Sequence, residues 1–316
     1  DGSPVKLRGV NRHEIHPEVG RAVREEDDRR DIQLMKAANI NLVRTSHCPP
    51  HPRFLDMCDA QGLYVICEVP FDGGEELLNN PDNLDRLLAR ADETVLPNRH
   101  HPCIILWSIG NENPYTPLVE AVAKHVKELD PARPICLPQI GSDFTKEGWT
   151  LPEFIDVLAP HYPTPPELEE FAQKTQRPMI ATEYAHMLGK AAEDLGACWD
   201  MMLKYPKLAG GAIWHWCDQG LYKTAGPDEY DKDLGRPLAG KIWVSPTRFM
   251  DCGEDKGPDG IVYSDRQPQV DYWLTRKVYT PVYIAEREVT TQPGLQHVVV
   301  TVSNRYDFSN LNVLKG

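Results

Sequence analysis

Eight short apolar runs recur along this chain, and most of them close on a group of polar side chains. They span Leu7–His13, Leu42–His47, Tyr64–Val69, Ile104–Glu112, Pro134–Pro138, Val157–Tyr162, Met179–Tyr184 and Gly211–Trp216. Most lack the polar–apolar alternation of a half-exposed strand, a pattern that suits parallel strands covered on both faces. Helical segments lie between them. "EEDDRRDIQLMKAAN" opens on acids that suit a helix N-terminus and puts Ile32, Met35 and Ala38 on one face. "DNLDRLLARADETVL" has the same character, as does "TPLVEAVAKHVKELD", which carries Pro117 just inside its start. Strand and helix alternating eight times predict an α/β fold closed into a (β/α)8 TIM barrel. The link between Pro134–Pro138 and Val157–Tyr162 shows no amphipathic helix.

Beyond the last run the character changes twice. Leu221 to Gly260 is rich in Gly, Pro and Asp and lacks periodicity, so a long loop over the barrel mouth is expected. "QVDYWLTRKVY" then reads as the closing helix. The last stretch holds "HVVVTVSNRYDF", rich in β-branched residues, and is too short to support a domain alone. The predicted division is a catalytic barrel over 1–281 and the truncated start of a β-sandwich domain over 282–316. The chain opens at Asp1 without a methionine and is expected to be a piece of a longer protein. Any leader would lie upstream, so localisation is unread.

The formal net charge of -13 argues against nucleic acid or an anionic membrane as partner and suits a neutral substrate. No apolar run approaches the roughly 20 residues that cross a bilayer. The 8 cysteines include no C-x-x-C pair and read as buried free thiols rather than zinc ligands or a disulfide framework.

In a parallel barrel, reactive groups gather where strands end. Here the strand-end polar residues are Asn11-Arg12-His13, Arg44-Thr45-Ser46-His47, Glu68, Asn111-Glu112, His161-Tyr162, Glu183 and His215. Glu112 closes the fourth run and Glu183 the seventh, on opposite sides of the mouth. Alone, either glutamate reads equally well as a solvated charge or an ion-pair partner. As a pair they fit glycoside cleavage, where one acid protonates the leaving oxygen and a second carboxylate attacks from the other face, about 5–5.5 Å away in retaining enzymes. His13, His47 and His186 fall on the same side, whereas His100 and His101 precede a strand and read as structural. Trp214 and Trp216 share one strand face by alternation; core and mouth-lining roles stay equally open for them.

"GVNRHEIHPEVG", "NLVRTSHCPPHPRFLDMCDAQGLYVICE", "HPCIILWSIGNEN", "ATEYAHMLG" and "GGAIWHWCDQG" together resemble the catalytic barrel of the glycoside hydrolase family 2 β-galactosidases. The resemblance covers Gly2 to about Val282, and "SNRYDF" resembles the opening of the sandwich domain that follows in that family. It implies a retaining double displacement on a terminal β-galactoside. Glu112 would be the general acid/base and Glu183 the nucleophile. Asn111 would bond the sugar 2-hydroxyl, Tyr162 the nucleophile, and Arg44 would orient it. His13, His47, His186 and Trp214 match positions that hold the galactosyl ring. Glu112 must hold a proton near neutral pH, helped by burial and by the charge of Glu183, which Arg44 keeps ionised. Family members bind Mg²⁺ through an acid and a histidine after the third strand. Here Asp72 stands for the acid but Gly74 takes the histidine's place, so no tight metal and no cofactor are expected. Lys190 replaces an asparagine, and Asp259 falls near a sugar-contacting position. The resemblance also implies homo-oligomer contacts through further domains of a full-length parent. Two alternatives stay open: a family 2 β-glucuronidase or β-mannosidase, with Lys190 and Lys223 as the only hints of a carboxylate-binding cation, and a sugar-binding barrel without turnover.

Overall fold

The computed structural model describes residues 2, 4–72, 75–140, 152–187, 193–225, 230–231, 236–237, 240–244, 259–286, 288–295 and 297–314. Nine short strands form one parallel ring: β1 (Leu7–Arg12), β2 (Leu42–Thr45), β3 (Tyr64–Asp72), β4 (Ile104–Asn111), β5 (Ile135–Cys136), β6 (Gln139–Ile140), β7 (Pro160–His161), β8 (Met179–Tyr184) and β9 (Leu208–Ile213). β5 and β6 are two pieces of one barrel staff. β5 pairs with β4 and bridges Cys136 to Val157, while β6 pairs with β7. β9 returns to β1 through Leu7↔Gly210 to Val10↔Ile213, which closes eight staves into the predicted barrel.

Helices α1 (Glu25–Ala37), α2 (Pro52–Gln61), α3 (Glu75–Asn79), α4 (Leu84–Asn98), α5 (Pro117–Leu129), α6 (Pro165–Lys174), α7 (Glu193–Lys204) and α8 (Val270–Val278) lie around it. Their starts follow capping chemistry. Thr116 accepts from the Val119 amide, and Thr164 forms a reciprocal box with Glu167. Between β6 and β7, residues 141–151 lie outside the described residues. Among the described residues, no helix is long and apolar enough to cross a membrane.

Two apolar layers follow from the strand period of two. One face of the strands packs against helices in the larger core. The other forms a second cluster of Leu42, Ile66, Leu106, Cys136, Val157, Ala159 and Ile180. These residues plug the barrel interior. Two positions further along the same strands stand Arg44, Glu68, Ser108, His161 and Thr182, all buried. The polar layer at the mouth is therefore the next inward-facing tier above an apolar floor.

Two expectations need correction. The segment from Leu221 is not a featureless loop: β10 (Leu221–Ala225) pairs antiparallel with β13 (Gly240–Val244), and β11 (Tyr230–Asp231) with β12 (Arg236–Pro237). Its β-forming pieces "LYKTA" and "GKIWV" are separated by the acidic, glycine-containing stretch that hides them from a composition reading. The eighth staff stops at Ile213, so alternation does not extend to the two tryptophans. Trp214 faces the mouth, while Trp216 is fully buried and bonds Asp31 on α1 at 2.8 Å. Near the C-terminus, part of the β-branched run pairs as β15 (Val302–Asn304) antiparallel to β14 (Val282–Ile284), the β-strand segment expected there. Among the described residues Val298, Val299 and Val300 have no covering layer that would hold them in a sheet. Of the cysteines, six are buried as expected but Cys48 is only partly covered; Cys252 lies outside the described residues.

Candidate active site

Arg44, fully buried at the end of β2, organises the floor of the mouth. Its Nη1 donates to Glu183 Oε1 at 2.7 Å and to Asn11 Oδ1 at 3.0 Å. Its Nη2 donates to Asn111 Oδ1 at 2.7 Å and to Glu68 Oε2. Four acceptors from β1, β3, β4 and β8 thus converge on one planar cation, whose always-charged fork suits such a junction. Burial alone would push the Glu68 carboxyl up, but Arg44 and His47 outweigh it and hold it below the usual range. His47 Nδ1 lies 2.8 Å from Glu68 Oε1, and Ser108 donates to Oε2 at 3.0 Å.

The two candidate carboxylates meet above this floor. Glu183 Oε2 accepts from the Tyr162 hydroxyl at 2.6 Å, so both its oxygens are held by donors. Burial and the Glu183 charge push the Tyr162 phenol well above its ordinary value, which keeps it a donor. Glu183 sits in a bulge: β8 carries one more residue than β9 between the pairs Ala181↔Gly211 and Tyr184↔Ile213. Bulges at a barrel rim re-aim side chains, and this one coincides with the glutamate.

Glu112 stands on the opposite rim, just past β4, with positive φ of 48°. Gly110 precedes it at φ +66°, where an added Cβ would come within 2.1 Å of Asn113 Oδ1 and 2.6 Å of the Phe71 ring. Only glycine fits that turn, which delivers Glu112 to the mouth. Its side chain is 33% exposed, so the expected burial of this carboxyl is incomplete. Fully sealed, it would be cut off from a leaving group. His161 lies between the pair, its Nδ1 at 2.7 Å from Glu112 Oε1 and 3.5 Å from Glu183 Oε2. One oxygen from each glutamate and a nitrogen of His161 all lie within 4.8 Å of one another.

That spacing would also suit a cation, although each Glu183 oxygen already accepts one donor, from Arg44 or Tyr162. Gly74 lies outside the described residues, as does the side chain of Asp72; a glycine supplies no side-chain ligand. A second cluster, Asp59, His101 and Cys103, belongs to the residues preceding β4. There Asp59 takes His101 Nδ1 at 2.6 Å and the Cys103 amide at 2.8 Å, a structural brace at the foot of the strand.

The aromatic residues assemble beside the carboxylates. His47 stacks on Trp214 with ring centres 5.4 Å apart, and His13 meets both rings edge-on. His186 stacks on Tyr162. Asp259, fully buried, accepts from His186 Nε2 and His215 Nε2, each at 2.6 Å. The two imidazoles outweigh burial and hold its carboxyl well below the ordinary range. Asp218 fixes the backbone here by accepting from the Gly260 amide at 2.8 Å.

All nine residues singled out from sequence — Glu112, Glu183, His13, Arg44, His47, Asn111, Tyr162, His186 and Trp214 — therefore gather at one end of the barrel. Sequence reasoning assigned no role to Glu68, Asn11 or His161, although each ends an apolar run. Their shared inward register with Arg44 was the available signal. Lys190 lies outside the described residues, and so does the side chain of Lys223.

Residues 1–284 match the family model described as glycosyl hydrolases family 2, TIM barrel domain. A β-galactosidase of Photobacterium profundum is 33% identical over 326 residues, covering 98% of this chain and 30% of that protein. A β-galactosidase of Klebsiella pneumoniae is 36% identical over 279 residues, covering 85% of this chain and 26% of its own length. The chain thus spans under a third of these relatives. Among solved structures, a GH2 β-galacturonidase from Eisenbergiella tayi bound to galacturonate superposes with a TM-score of 0.68 at 21% identity, over 88% of this chain and 51% of that one. A Bacteroides uniformis β-glucuronidase gives 0.66 at 23% identity, over 90% and 37%. At that identity the likeness concerns the fold.

Proposed function

This chain belongs to glycoside hydrolase family 2, and from that premise we propose that it is the catalytic barrel of a retaining exo-β-galactosidase. The observation that carries the chemistry is the spacing of Glu112 and Glu183, with carboxylate oxygens within 4.8 Å of each other. Retaining enzymes hold their carboxyl groups about 5–5.5 Å apart, whereas inverting ones need about 6.5–9.5 Å to admit a water. Glu183 is the nucleophile: Arg44 and Tyr162 hold both its oxygens and favour its anion. Glu112, partly open to solvent, is the acid/base.

In the first step Glu112 gives its proton to the glycosidic oxygen as the bond from that oxygen to C1 breaks. A Glu183 oxygen forms the new bond to C1. In the second, Glu112 takes a proton from water, the water oxygen bonds C1, and the ester to Glu183 breaks. The net reaction is glycoside plus water to sugar plus alcohol. Arg44 also fixes Asn111: its Oδ1 faces the guanidinium, so its amide N–H groups turn elsewhere, toward the sugar 2-hydroxyl in this reading. The His47–Trp214 stack supplies a flat apolar wall for a sugar face.

Galactose is supported by relatives named β-galactosidase, among them those of Photobacterium profundum, Vibrio cholerae and Klebsiella pneumoniae. A neutral sugar also suits the pocket, because the buried carboxylate of Asp259 faces it through His186 while Arg44 is already shared among four acceptors. For a parent of the relatives' length, a homo-oligomer is part of the same proposal, and sedimentation of that parent checks it. The decisive assay compares the chain with Glu183→Gln on aryl β-galactoside, glucoside, glucuronide and mannoside. Turnover of the galactoside that falls at least about 1,000-fold in the variant is expected. Preference for the glucuronide or mannoside would overturn the choice of sugar. Unaltered turnover in Glu183→Gln would overturn the mechanism.

A further inference from the structure

We propose that His161 is a positioning residue whose single Nδ1–H is presented to both carboxylates and secures Glu112 as the base of the second displacement. The inference rests on the hydrolase reading above and deepens it.

Three observations carry it. His161 is 1% exposed and stands on β7 in the inward tier, two residues past Ala159 of the apolar floor. Its Nδ1 is 2.7 Å from Glu112 Oε1 and 3.5 Å from Glu183 Oε2. Its Nε2 is buried and has no hydrogen-bond partner among the described residues. A neutral imidazole carries one proton, on one nitrogen or the other. A buried N–H without an acceptor is rarer and costlier than a buried bare nitrogen, so the proton belongs on Nδ1, facing the carboxylates. Burial lowers the imidazolium to about 4, so the ring has only that proton to offer near neutral pH.

Glu183 already holds Arg44 and Tyr162, so the short contact to Glu112 is where this N–H matters. When Glu112 gives up its proton, the Nδ1–H becomes a charge-assisted bond to the new anion. In the glycosyl-enzyme Glu183 is an uncharged ester, and Glu112 must be ionised to deprotonate water. Without the His161 donor, Glu112 Oε1 would lose that charge-assisted bond just when it must take a proton from water. The consequence falls on the second step.

A leaving group that needs no protonation separates the steps. On dinitrophenyl β-galactoside, His161→Met should lower kcat about 10- to 100-fold while leaving kcat/KM nearly unchanged. Azide, which attacks without a general base, should restore kcat. His161→Asn, whose amide places an N–H near the Nδ1 position, should recover most of the loss. A parallel fall in kcat and kcat/KM without azide rescue would mean a structural role only and would overturn the proposal, as would unchanged kinetics. Nitrogen-15 NMR of the histidine-labelled chain gives a readout that needs no turnover. The proton is expected on Nδ1 with a resonance that moves in Glu112→Gln; an Nε2–H tautomer would overturn the proposal. Absence of turnover on every glycoside would instead sink the hydrolase reading, leaving the tautomer to decide the placement of His161.

Discussion

At the scale of single residues, Arg44 shows how much rests on geometry rather than charge. A lysine would keep the charge but lose the planar fork that reaches Glu183, Asn11, Asn111 and Glu68 at once. Arg44→Lys should therefore lower kcat about 100-fold or more on galactoside, with far less change in overall fold by circular dichroism. The buried histidines make a second prediction. His161 titrates at about 4 when folded, below its ordinary 6.5, and His13 is lowered too, by burial and by His215 and His47. Between those pH values the unfolded chain binds more protons, so acidification favours unfolding. For His161 the stability present above pH 6.5 and lost on descending to about 4 is on the order of 3 kcal/mol. Asp218 works the other way. Burial raises it to about 6 from 3.8, so in that window the folded state binds its proton more tightly. Melting temperature measured from pH 7 to 4 should fall, less steeply in His161→Asn and more steeply in Asp218→Asn.

Elements bring these residues together, and here the sequence was legible in part. The staves and the helices between them follow from unbroken apolar runs and 3.6-residue periodicity, signals that survive because each element is buried the same way along its length. The fifth staff showed only its first piece, β5 within the run Pro134–Pro138, while β6 and the hairpin β10–β13 left no such signal, because their pieces are too short to show a period. Trp216 does not share a strand face with Trp214, because alternation holds only while a strand continues. Its indole instead joins a buried network in which Asp31 of α1 also accepts from Arg12 at 2.9 Å and Arg266 at 2.8 Å. That network fastens β1, α1 and the segment before α8. Asp31→Ala would leave buried guanidinium groups short of a partner and should cost about 3–5 kcal/mol, visible as a lower urea midpoint. The β1–β9 seam that closes the ring depends on Gly210, at φ +141°, where a Cβ would lie 2.0 Å from the Leu7 carbonyl. Gly210→Ala should open that seam and yield little folded protein, checked by soluble yield and thermal melting.

Over the whole molecule, the C-terminal stretch is tied to the foot of the barrel rather than to its mouth. Asp307 accepts from the Lys6 amide and from Arg8, each at 3.0 Å, beside the start of β1. Asp307→Asn should loosen that tie by about 1 kcal/mol and speed limited proteolysis beyond Pro281, with the barrel core still protected. A boundary near residue 281 remains our proposal, and the same digestion checks it.

The mouth itself divides along lines of chain origin. Arg44, Glu68, Asn111, His161 and Glu183 all stand on strands of the ring, locked into its register. Asp259 and His186 come from connecting segments, joined to one another across the rim. Changes in those connections can retune which sugar is held while the strands, and the residues that directly follow them, keep the proposed bond-breaking apparatus intact. A lineage carrying this barrel could thus diversify its diet without having to reinvent its chemistry.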